Sequence, residues 1–152
     1  MDVENWSAYI LVLELDRVVN IEIRRRRLKL QPGIYFYVGS ARKRIIQRIT
    51  RHLSKSKKKW WHIDYLTTHN ASKILGFILV KSSNGDCESE LASRLNMVLE
   101  AIPRFGQSDK PRDISHLFKC SSDYTDCTSL VFNIVEESSC VEDVVYIENQ
   151  VG

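Results

Sequence analysis

Several features that would classify a chain at once are missing here. The four cysteines, Cys87, Cys120, Cys127 and Cys140, never fall at C-x-x-C spacing, so neither a zinc knuckle nor a redox pair is indicated. Scattered thiols suit a reducing compartment, and a cytoplasmic location is expected. No apolar run approaches the roughly 20 residues of a membrane span, and the opening MDVENW is acidic with no signal-peptide h-region behind it. Neither a span nor a secretory leader is therefore expected. Internal repeats and low-complexity tracts are also lacking, which excludes solenoids and disordered linkers.

Two stretches each nearly lack charge of one sign. From Arg17 to Trp60 a single acid, Glu22, stands among fifteen Lys and Arg residues. From Ser121 to Gly152 there are seven acids and no Lys or Arg. The net charge of +3 hides this division. Such a basic half predicts a polyanionic partner, nucleic acid above all.

What is present is enough for one globular domain: 152 residues, of which 43% are hydrophobic, can bury a sizeable core. The chain centres on Gly33–Leu53, GIYFYVGSARKRIIQRITRHL, read as a strand, a tight turn and a basic helix. Alternation puts Tyr35, Tyr37 and Gly39 on one strand face and Ile34, Phe36 and Val38 on the other. At about 100° per residue the helix gathers Ile45, Ile46, Ile49 and Leu53 into a core stripe and Arg44, Arg48, Arg51 and Lys55 into a cationic one. That cationic stripe is either a solvated outer face or a phosphate-facing one. The small Gly39-Ser40-Ala41 between tyrosines and arginines favours the second.

Upstream, Ala8–Leu15 (AYILVLEL) has the composition of a central strand buried on both faces. Asp16-Arg17 is expected to turn it into a partner strand, Val18–Ile23. Arg24–Arg27 is either a solubilising edge or a phosphate-contacting arm. Downstream, Trp61, Ile63 and Tyr65 read as core anchors and His62 as a structural histidine. Ser72–Val80 is a further strand, and Ser83–Asp86 is expected to supply a turn and a helix N-cap.

In the helix that follows, Glu88, Leu91, Ala92, Leu95 and Leu99 share one face. Glu88 therefore points inward and needs a partner. Either the helix dipole or an arginine meets it, or it is an oxygen ligand for a hard divalent cation. Ile102–Pro111 reads as loop, with Ser108, Asp109 and His116 in or just after it, and Ser115–Lys119 as a short strand. The alternating Ser129–Val135 and apolar Val144–Ile147 allow either an added edge strand or a self-association surface, hence a homodimer. The acidic tail also has the charge to fold over the basic face.

Six blocks in order resemble the GIY-YIG nuclease superfamily, and more closely a small branch of it known as a domain of unknown function. They are Gly33–Ala41, Arg51–Leu53, Trp61–Leu66, Glu88–Ala92, Gly106–Asp109 and Ser115–Phe118. The literal Gly33-Ile34-Tyr35 is not the first signature, because Tyr35 and Tyr37 must share one strand. Ser7-Ala8-Tyr9 is the position that resembles it, with Ser7 and Ala8 in place of Gly and Ile. After Asp109 the branch's cysteines are replaced by Lys110-Pro111-Arg112-Asp113.

The resemblance implies an α/β fold, a small mainly antiparallel sheet flanked by helices, over residues 1–119, with 120–152 as an acidic extension open to joining the sheet as a strand. It implies a metal-dependent endonuclease that hydrolyses DNA of a structured or damaged form. Glu88 would hold Mg²⁺ or Mn²⁺, Arg48 would counter phosphoryl charge, and Tyr9 or Tyr37 would orient or deprotonate water. His52 is an additional acid or base. Gly39, Ser40, Arg42, Arg44, Arg51 and Lys55 would meet the nucleic acid. The alternative is a nucleic-acid-binding module of the same fold without turnover.

Overall fold

The structure, a computed structural model, describes residues 6–83, 87–106 and 112–150. Its centre is β1 (Trp6–Leu15), the strand expected to be buried on both faces. β1 pairs antiparallel with β4 (Gly33–Ser40) on one side and with β5 (Ser72–Ser82) on the other. β7 (Leu117–Cys120), β6 (Glu100–Ala101) and β8 (Val141–Glu148) complete a six-stranded sheet in the order β6-β7-β4-β1-β5-β8. Its pairs are antiparallel, and the α/β class expected from the sequence holds.

The two-residue alternation sends the strands' side chains into two separate cores. Tyr9, Leu11, Leu13, Tyr35, Tyr37 and Phe77 lie on one side with α1 (Ile45–Leu53) and α2 (Asp64–Thr67). Ile10, Val12, Phe36, Val38 and Ile78 lie on the other with α3 (Glu88–Asn96) and α4 (Tyr124–Glu136). Both faces of β4 are therefore packed, including the tyrosine face.

Val19–Ile23, β2, does not pair with β1. It forms a hairpin with β3 (Arg26–Leu30) in a separate two-stranded sheet. Ile23 is opposite Arg26, and the two turn residues Arg24 and Arg25 both have positive φ, 48° and 70°. A two-residue hairpin needs that geometry to match strand twist. Part of the arginine run is thus the turn itself, and Arg26 ties the hairpin down by donating to the carbonyls of Pro103 and Arg104.

Three further expectations change. Ser129–Val135 is helical, not a strand: Asp123 caps α4 by accepting from the Asp126 amide at 2.8 Å. Cys127, Val131 and Val135 then bury at four-residue spacing. Helix α3 starts after Cys87, and residues 84–86 of the expected turn and cap lie outside the described residues.

The cysteines are not scattered thiols, since Cys87 is bonded to Cys140 and Cys120 to Cys127. The thiol count therefore no longer argues for a reducing compartment. Folding brings together residues 53 positions apart in the first pair, which no local spacing reveals. The acidic tail does not cover the basic helix. Its helix packs on the opposite face of the sheet from α1, and Val144–Ile147 lies within the added edge strand β8. No helix among the described residues is long and apolar enough to cross a membrane.

Candidate active site

A cleft of about 170 Å³ opens where the ends of β1 and β4 meet α1, α3 and the segment before β7. That is below the roughly 300–1,000 Å³ of small-molecule pockets. Tyr9, Tyr37, Gly39, Ser40, Arg42, Arg48 and Glu88 all line it. So do Arg24, Trp60, Trp61, His62, Gly106 and His116.

Strand pairing explains the tyrosines. Tyr9 is the register partner of Gly39, and Tyr37 is opposite Leu11, so the two rings share a face on neighbouring antiparallel strands. Gly39 has to be small: a Cβ there would fall on the Tyr9 ring and hydroxyl, well inside the 3.0 Å that real contacts respect. Gly106, with φ +72°, makes the same concession to the Tyr37 ring, and its amide donates to His62 Nδ1 at 2.9 Å. His62 is thus a structural histidine that also faces the cleft.

The Tyr9 hydroxyl lies 2.6 Å from His52 Nε2. Burial, first, and Tyr37 push the Tyr9 hydroxyl well above its ordinary 10, with Arg48 opposing them. Arg48 alone would lower the Tyr9 pKa, but desolvation outweighs the cation. His52 is fully buried behind Tyr9 and does not line the cleft. Burial first, then Lys57, lowers its pKa to about 3. It is a neutral imidazole that clamps Tyr9, not an acid or base in contact with substrate.

Helix α1 sits rotated from its sequence-based wheel. Ile45 and His52 are its buried residues, whereas Ile46 and Leu53 are 55% and 44% exposed. The reason is polar: His52 must reach Tyr9, and Trp61 receives the guanidinium of Arg48 at 4.5 Å and of Arg51 at 4.9 Å. The cationic stripe consequently splits. Arg48 enters the cleft, and Arg44 is the exposed N-cap of α1.

Arg51 donates to Asp64 Oδ2 at 2.6 Å and to the Lys58 carbonyl. Asp64 also accepts from the Trp60 and Trp61 amides, each at 2.9 Å. Lys55 donates to the His69 and Ser72 carbonyls and to the Ser72 hydroxyl, and burial lowers its pKa. Arg51 and Lys55 thus bond internal partners and do not line the cleft.

Their place at the cleft is taken by Arg24 and Arg42, both on positive-φ backbone. Non-glycine residues in that region cost of order 1–3 kcal/mol, and such residues gather at functional sites. The sequence left the Arg24–Arg27 run open between a solubilising edge and a phosphate-contacting arm, because the hairpin that aims Arg24 depends on tertiary packing.

Glu88 is inward-facing and buried, as its helical position predicts. Its Oε2 lies 3.8 Å from His116 Nδ1. His116 Nε2 is in turn 2.7 Å from Asp113 Oδ2. Among the described residues no group of three or more His, Cys, Asp or Glu side chains is placed to hold an ion. Any cation at Glu88 would have to keep water or substrate oxygens, as Mg²⁺ commonly does. Ser108 and Asp109 lie outside the described residues.

Fold and cleft together define a small, mainly antiparallel α/β domain that presents arginines, tyrosines and the inward carboxylate of Glu88 around one cleft. A family profile described as "Domain of unknown function DUF123" matches residues 8–138, and the chain belongs to that family. No curated protein and no solved structure matches the chain.

Proposed function

We propose that the protein is a metal-dependent endonuclease of the GIY-YIG type, hydrolysing phosphodiester bonds in DNA of a structured or damaged form. The observation that carries this reading is the convergence of Tyr9, Tyr37, Arg48 and Glu88, from four separate elements or turns of the chain, on one cleft rimmed by Arg24 and Arg42. Each residue type suits a step of phosphoryl transfer.

Glu88 would hold Mg²⁺ or Mn²⁺, and the ion when bound supplies Lewis-acid polarisation of the scissile phosphate. Arg48, held over Trp61, is aimed to counter charge growing on the phosphoryl oxygens. Arg42 and Arg24 add positive charge at the rim and favour entry of a polyanion. Tyr9 presents to the cleft the hydrogen-bonding capacity of its hydroxyl that His52 does not use, and so orients a water for attack.

The raised pKa of Tyr9 favours a second reading, a nucleic-acid-binding module without turnover, because the Tyr9 hydroxyl is not activated to take a proton from water. One experiment separates the two. Labelled duplex, single-stranded, flap and branched DNAs are incubated with Mg²⁺ or Mn²⁺ and either intact protein or Glu88→Ala. The nuclease reading expects cleavage that the substitution abolishes while salt-sensitive binding persists. Equal binding and no cleavage on any substrate would leave the binding module.

A further inference from the structure

We infer that His116 is a second protein ligand, beside Glu88, for the divalent cation, and that its nitrogen biases the site toward a borderline ion such as Mn²⁺ over Mg²⁺. The inference rests on the reading that Glu88 holds an ion and adds to it which donor completes the pair and which metal the pair prefers.

The backbone of His116 is held on both sides and its ring at one nitrogen. Its amide donates to the Phe105 carbonyl at 2.8 Å, and its carbonyl accepts from the Val38 amide at 2.9 Å. Its Nε2 meets Asp113 Oδ2 at 2.7 Å, and that same oxygen accepts from the Ser89 hydroxyl at 2.9 Å. A carboxylate at Nε2 holds the proton there and leaves Nδ1 as a bare lone pair.

Nδ1 is buried and has no hydrogen-bond partner. The nearest acid is Glu88, whose Oε2 stands 3.8 Å away. The unpartnered Nδ1 and the Glu88 oxygen, turned toward each other, form a pair of donors for one cation. A shared proton would draw them to about 2.7–3.2 Å. Two ligands of one metal ion with bonds near 2.1 Å stand between about 3.0 Å, at a right angle, and about 4.2 Å, when opposed. The observed 3.8 Å lies within that range, at a wide angle, and is too long for a shared proton.

The remaining features agree. Carboxylate, imidazole and metal in series is the usual way a protein orients a ligating histidine, and Asp113 supplies the outer carboxylate. Glu88 and His116 both line the cleft, so an ion between them would have its other positions open to water and phosphate oxygens. Imidazole nitrogen suits transition ions, whereas Mg²⁺ keeps to oxygen donors.

The test uses the intact protein and MnCl₂ without nucleic acid. Mn²⁺ binding is followed by loss of the free-ion signal in electron paramagnetic resonance, and pulsed measurements report nitrogen coupled to the bound ion. The expected result is ¹⁴N coupling in the unaltered protein. In His116→Gln that coupling disappears and the Mn²⁺ affinity falls roughly 10- to 100-fold, with the preference for Mn²⁺ over Mg²⁺ reduced. Asp113→Asn, which no longer fixes the tautomer, should weaken Mn²⁺ by about 10-fold.

The coupling is read on unaltered protein, so a poorly folding variant does not decide the matter. Bound Mn²⁺ that depends on Glu88 but shows no nitrogen coupling, or coupling that survives His116→Gln, overturns the role of His116 and leaves Glu88 as the sole protein ligand. No Mn²⁺ binding at all overturns this inference and the metal-dependent reading together.

Discussion

His52 should make the protein measurably less stable in mild acid. In the folded chain burial and Lys57 hold its imidazole neutral down to about 3, whereas an unfolded histidine titrates near 6.5. Between those values the unfolded state binds the extra proton, so stability rises with pH across the window and is lost as pH falls through 6.5. From pH 7 to pH 5 an unfolded pKa of 6.5 against a folded value of 3 gives a loss of about 2 kcal/mol. At this chain length that is roughly 4–8 °C in Tm.

The assay is urea unfolding of the intact protein and of His52→Gln at pH 7 and pH 5. The variant keeps an amide near Tyr9 but cannot be protonated. His62 is also lowered, by burial first and then by Arg24 and Arg26, and adds a loss of the same sign to both proteins. The informative quantity is therefore the difference between their slopes. The intact protein should lose about 2 kcal/mol more than the variant over this interval. Equal losses, or an imidazole resonance for His52 that titrates near 6.5, would refute the burial argument.

Gly39→Ala should cost about 1–3 kcal/mol by overpacking, because the added methyl meets a Tyr9 ring that is buried and bonded to His52; urea midpoints measure it, and an unchanged midpoint would mean the ring can move aside. Asp64→Asn should cost about 3–5 kcal/mol. The substitution leaves Arg51 and Lys57 facing an uncharged amide in a fully buried position, and thermal unfolding at neutral pH reads the loss.

Where local pattern decides structure, the sequence was readable. β1 announced itself by an unbroken apolar run, β4 by alternation, and the inward direction of Glu88 by its spacing from Leu91 and Leu95. What was not readable depends on partners distant in the chain. The rotation of α1 is set by Tyr9 and Trp61, neither of which enters a helical wheel. Arg24 reaches the cleft through a hairpin that pairs with itself and not with β1. Ser129–Val135 alternates in sequence, yet the Asp123 cap and a buried face at every fourth residue make it a helix. Cys87 and Cys140 are neighbours only because β8 lies beside β5. His116 looked like one more loop residue until Asp113 and Glu88 were seen on either side of it.

The two charge blocks of the chain end on opposite sides of one thin sheet. Basic α1 lies over the tyrosine face, while α4, with Asp126 and Glu136, packs on the other and β8, with Glu142, Asp143 and Glu148, closes the edge beyond β5. The fold thereby turns a small net charge into an electric dipole moment. In the field of a polyanion such a dipole experiences a torque, and the molecule rotates so that its arginine-lined side leads. Under the proposed function the acidic segment would contribute at a distance, by repelling approach from the rear, and that torque should fade once salt shortens the screening length to about 10 Å or less.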